Sequence, residues 1–229
     1  MEHAIGDAFI SDKEAGQMAS KKLSIVPTMQ LAQVLCHEEQ YDRLPDDFRS
    51  DYIDAELKDR RDFLYNFNDR YAQPSLHRFN MELLKSYRKY PCEELYQRKI
   101  LLTKSDLYFG VLKYGPANLK KMKQAGVLIG CGTDAGVGYS YHGTIWREME
   151  MLTRIGFSNL EALRCATMNN ARILRMEDRI GSIATGKLGD LVLLGKDPLQ
   201  DIRACREPLM VIKGGKIMYQ SPATASRKS

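Results

Sequence analysis

The residues of this chain whose types and settings suit catalysis are His3, His142 and Asp134, an aspartate set between glycines. Asp134 ends the stretch GVLIGCGTDAG, in which Val127 to Cys131 read as a buried strand running into Gly132 and Gly136. A carboxylate delivered by a strand into open space suits a general base or a metal ligand. The same residues also describe a polar turn that closes a strand, so the stretch alone leaves both readings open. His3 follows Glu2 in a β-like opening, where it is either a metal ligand or a solvated terminal histidine. His142 and Gly143 fall in the loop after Asp134, a place for a substrate contact or a solvated side chain. Glu148 lies on the first turns of the next helix, where the helix dipole favours a carboxylate, so it reads as structural. His37 and His77 carry no role.

The elements that must position these residues are legible around them. Met1 to Ile5 resembles a strand end. Ser11-Asp12-Lys13-Glu14 is a capping box opening a helix to about Lys22, and Leu23 to Val26 is a β-branched run closed by Pro27 and Thr28. Strand, helix and strand in that order form a βαβ unit, which implies parallel pairing. Helical periodicity follows from Met29 to about Tyr114, clearest at 54–71 and 81–90, with a further helix over 117–124 stopped by Gly126. After the strand ending at Asp134 come a helix from Trp146 to Ile155 and a second capping box, Ser158 to Glu161, opening a helix to about Arg175. From residue 179 the pattern turns to β. A strand is expected over 190–194, and Gly214-Gly215 between Leu209–Lys213 and Lys216–Tyr219 is a hairpin signal. Residues 221–229 read as a flexible tail.

Composition narrows the classes. With 44% hydrophobic and 28% charged residues, the 229-residue chain has enough apolar content for a substantial core. Its net charge of +5 is scattered, with no basic stripe interleaved with aromatics, which argues against nucleic acid as a partner. No apolar run is long enough to span a membrane. Five cysteines (Cys36, Cys92, Cys131, Cys165 and Cys205) show no metal-type spacing and read as free thiols, which points to a cytoplasmic protein.

The order of motifs resembles the C-terminal part of the amidohydrolase superfamily, metal-dependent hydrolases built on a (β/α)8 TIM barrel. The flavour is closest to imidazolonepropionase-like and Xaa-Pro dipeptidase-like members. The carrying segments are EHAIGD at Glu2, SIVPT at Ser24, GCGTDAG at Gly130, YHGTIWREMEML at Tyr141, LEALRCATMNNARIL at Leu160 and RIGSIATGKLGDLVLLGKDPLQDI at Arg179. The resemblance implies an α/β fold comprising barrel strands six to eight, a helical insertion at about 37–116 and part of a small β-sandwich. It divides the chain into a partial hydrolase barrel, 1–178, a sandwich segment, 179–220, and the tail. It further implies Asp134 as metal contact and catalytic base and acid, His3 as metal ligand and His142 as a substrate contact. The implied cofactor is a divalent ion, zinc first among them, and the implied substrate a small or dipeptide-like molecule with a C–N bond to hydrolyse.

The pattern also departs from the family. No His-x-His occurs, and a whole barrel needs around 250 residues. The expectation is therefore an N-terminally truncated, inactive piece with open strand edges, the alternative being a non-catalytic scaffold. The long insertion suits a lid, a homo-oligomer contact or plain surface decoration.

Overall fold

The computed structural model describes residues 1–35, 102–136, 140 and 142–222. The expected helices at 54–71 and 81–90, most of the insertion, His37, His77, Cys36, Cys92 and most of the tail lie outside them. Described in chain order are α1 (Asp12–Ser20), β1 (Ser24–Ile25), α2 (Met29–Leu35), α3 (Leu102–Ala125), β2 (Leu128–Ile129), α4 (Ile145–Ile155) and α5 (Asn159–Arg164). After them come a π-helical turn (Cys165–Asn169), α6 (Asn170–Ile173), β3 (Leu191–Leu194), a 3₁₀ turn (Ile202–Arg206), β4 (Pro208–Lys213) and β5 (Lys216–Gln220).

The opening βαβ reading holds. Glu2 bridges Val26 in parallel, and β1 pairs with β2 in parallel, Ser24 opposite Leu128 and Ile25 opposite Ile129. The three strand segments therefore lie side by side in sequence order. Both capping boxes form. The Ser11 hydroxyl accepts from the Glu14 N–H at 3.2 Å while Glu14 accepts from the Ser11 N–H at 2.6 Å, and Ser158 and Glu161 repeat the exchange. Gly156, with φ 102°, ends α4 in the left-handed conformation.

Two local readings change. Residues 117–124 are the end of a longer helix: α3 runs from Leu102 through Pro116 to Ala125. Proline inside a helix costs about 3 kcal/mol. Here Leu112, Leu119 and Met122 are each fully buried, and packing of that order outweighs the loss. The helix expected to run to Arg175 is divided by the π turn. That extra residue per turn lets the adjacent Asn169 and Asn170 both reach β2. Asn169 Nδ2 donates to the Ile129 carbonyl at 2.8 Å, and Asn170 binds both the N–H and the carbonyl of Cys131, at 3.0 and 2.8 Å.

Those contacts cover the β2 edge, one of the edges expected to lie open. The Gly130 N–H bonds the Ile25 carbonyl, so Gly130 faces β1, and by strand alternation Ile129 and Cys131 direct their backbone groups to the opposite edge. That edge is the one the two asparagines occupy. Side-chain amides there stand in for a neighbouring strand.

Helix α3 seats against the chain that follows His3. A Cβ at Gly110 would stand 2.0 Å from the Gly6 carbonyl oxygen, so the backbones meet directly. The second sheet is antiparallel, β3–β4–β5, with Gly214 and Gly215 at φ 56° and 77° turning the expected hairpin. Val192 and Met218 remain 60% and 67% exposed on it, and no second sheet covers it among the described residues. It is tied to the first sheet's helices through the 3₁₀ turn: Ile202 is buried, and Glu150 on α4 accepts from Arg203 Nε at 2.6 Å.

Gly110→Ala is expected to cost about 3 kcal/mol or more, because backbone rather than a movable side chain occupies the space. Denaturant unfolding of the purified variant checks it; a loss under about 0.5 kcal/mol would mean that α3 does not seat on Gly6.

Candidate active site at the strand ends

Each of the three parallel segments ends in a non-glycine residue of positive φ: His3 at 64°, Thr28 at 52° and Asp134 at 53°. The left-handed conformation costs an L-residue about 1–2 kcal/mol. Three such residues at the same end of one sheet mark backbone held against its preference. Two of the three carry the side chains singled out from sequence, and they converge. His3 Nε2 lies 3.9 Å from Asp134 Oδ2, with the side chains 56% and 43% exposed. The separation is too long for a hydrogen bond, so the two part-exposed side chains face each other without sharing a proton.

His142 is exposed in the turn ahead of α4 and has no polar partner among the described residues. Sequence reasoning missed Tyr108. Its half-buried phenol on α3 is raised above the ordinary value by burial and by the charge of Asp134, so it borders the site. Only the seating of α3 brings it there, and no local motif announces it. Cys131, behind the site, is a buried free thiol whose pKa burial raises well above the usual range.

Glu148 is structural, as expected, but in a different way. It is fully buried, and its two oxygens accept from the Met29 and Gln30 N–H groups at 2.9 and 2.8 Å, with a further bond from the Thr28 backbone. Left-handed Thr28 followed by helical residues curls these N–H groups into an anion nest at the start of α2. The carboxylate on α4 fills that nest from the side. Burial raises its pKa to about 7, and the three backbone bonds pull against that rise.

Among the described residues no three potential donors gather to hold a metal ion. His3 and Asp134 supply two, where zinc takes three or four, so these residues do not by themselves complete a site.

Chemically capable side chains at the carboxyl ends of parallel strands, with helices packed against those strands, define an α/β protein with its candidate site at the strand ends. Comparison with known proteins agrees. Residues 54–218 match the model of the amidohydrolase family, and the chain belongs to that family, hydrolases acting on carbon–nitrogen bonds. It is 32% identical over 129 residues to an imidazolonepropionase of Anaeromyxobacter sp. (strain K), covering 55% of this chain and 30% of that one. It is 36% identical over 105 residues to the guanine deaminase of Escherichia coli (strain K12), covering 43% and 23%. The chain thus spans about a third or less of the curated relatives it matches. A putative prolidase from Bifidobacterium longum superposes with a TM-score of 0.62 at 22% identity, over 96% of this chain and 41% of that one, which supports the TIM-barrel-type α/β fold. Members of the superfamily generally use a divalent metal. No helix among the described residues is long and apolar enough to cross a membrane.

The Glu148 pKa sets a pH dependence. A carboxyl whose pKa rises from 4.5 to about 7 on folding binds its proton more tightly in the native state. Its contribution is fully present below pH 4.5 and is lost as pH rises through about 7, with a slope of at most about 1.4 kcal/mol per unit. Glu148→Gln is expected to remove this part of the stability–pH curve, and Glu148→Ala to cost about 3 kcal/mol by orphaning buried N–H groups. Urea unfolding at several pH values reads both; identical wild-type and Gln curves would reject the assignment.

Proposed function

We propose that this chain carries part of the active site of a metal-dependent amidohydrolase that cleaves a C–N bond in a small cyclic amide or dipeptide-like substrate. The observation that carries the reading is the convergence of His3 and Asp134, 3.9 Å apart at the same end of parallel segments that flank β1. Asp134 takes the proton of the attacking water and returns it to the leaving nitrogen, a role its open carboxylate suits. A divalent ion, zinc in this reading, would be held by His3 and Asp134 together with donors outside the described residues, and would supply an activated water. His142 contacts substrate from the loop above. The segments at His3, β1 and β2 correspond in this reading to barrel strands six, seven and eight, and β3–β5 to part of a sandwich. Cytoplasmic location is the companion proposal.

A second reading has its own support. Because two donors rather than three converge among the described residues, the chain by itself is a weak metal binder that acts as a scaffold and does not turn over. Zinc-loaded protein assayed on imidazolone propionate and Xaa-Pro dipeptides separates the two. Turnover that Asp134→Asn lowers by about 10²–10⁴-fold, with circular dichroism unchanged, is the expected result of the first reading. Turnover unchanged in that variant would eliminate the proton shuttle. Zinc-loaded chain that hydrolyses none of these substrates would favour the scaffold.

A further inference from the structure

We propose that Gln30 and Ser140 are positioning residues for Asp134, acting through the carbonyl of Thr133. The inference rests on the reading of Asp134 as the reacting carboxylate. With its side chain 43% exposed and His3 at 3.9 Å, Asp134 is not packed into its orientation by its own contacts. Its left-handed backbone, φ 53°, nevertheless needs a restraint worth more than the cost of that conformation.

The restraint lies one residue upstream. The Thr133 carbonyl accepts from Gln30 Nε2 at 3.1 Å and from the Ser140 hydroxyl, and Gln30 Nε2 also lies 3.2 Å from Ser140 Oγ. A carbonyl held by two donors has little freedom to tilt. Its peptide plane also contains the Asp134 N–H, so fixing that plane fixes one side of the Asp134 φ rotation. Both donors are 1% exposed, so water does not compete with them. Each donor is anchored in turn. The Gln30 N–H is held by Glu148 Oε2 at 2.8 Å, and the Ser140 carbonyl accepts from the Gly136 N–H at 3.0 Å, closing the loop that carries Asp134. Gln30 is the second residue of α2 and Ser140 lies six residues past Asp134, so no sequence motif links them.

Multidimensional NMR of the isotopically labelled chain tests the assignment without metal or substrate. Left-handed residues give a strong intraresidue amide–Hα cross-peak and a distinctive Cα shift, and His3 and Thr28 serve as internal controls. Gln30→Met and Ser140→Ala are each expected to lose the left-handed signature at Asp134 while His3 and Thr28 keep theirs. Ser140→Thr, which retains the hydroxyl, keeps it at all three. The proposal is overturned if Asp134 stays left-handed in both loss variants, or if all three residues change together in Ser140→Ala. Should Gln30→Met fail to fold, the Ser140→Ala and Ser140→Thr pair decides by the same criteria. Because turnover is not read, failure here is separate from failure of the hydrolase reading.

Discussion

Glu148 is a carboxylate shut away from water, and the three backbone N–H groups at the start of α2 are what make that burial tolerable. An isolated buried carboxylate costs several kcal/mol, and an uncapped buried helix start costs a comparable amount. Each offsets the other. The contact fixes α4 against the carboxyl end of the β1 segment, the end at which Thr28 turns left-handed. From there Gln30 reaches Thr133 and Ser140, so the loop carrying Asp134 takes its shape from a carboxylate on a different helix. A change at Glu148 therefore propagates to Asp134 without touching it.

The same economy operates on the other side of β2. Asparagines on the π turn and α6 satisfy the backbone groups that a further strand would bond. An unpaired strand edge in solvent invites association. Amide side chains give this edge its hydrogen bonds without another strand, and the π turn is what aligns two consecutive residues to do so. A Cβ at Gly130 would lie 2.5 Å from Asn170 Oδ1, so that close approach also requires glycine. Gly130 of GCGTDAG therefore serves to admit the supporting helix.

Fold and site meet in the seating of α3. Leu112, Leu119 and Met122 bury its inner face, and Gly110 lets it rest on the Gly6 backbone immediately after the strand that ends in His3. That seating brings Tyr108 within reach of the Asp134 charge. The phenol that feels the Asp134 charge thus comes from a helix whose own sequence carries no chemical signature.

What the sequence determined by itself was local or repeated in series. The capping boxes at Ser11 and Ser158, the Gly214-Gly215 turn and the parallel order of the first strands all rest on short-range chemistry or motif order, as does the proposal of His3 and Asp134 as site residues. Tertiary structure decided the rest because it depends on burial and distant partners. Pro116 sits within a helix because its neighbours are buried. Glu148 is an internal cap rather than a dipole-favoured surface acid because Thr28 to Gln30 turn their N–H groups toward it. Gln30, Ser140 and Tyr108 join the site through contacts with Thr133 or the field of Asp134, and no local spacing encodes such long-range pairings.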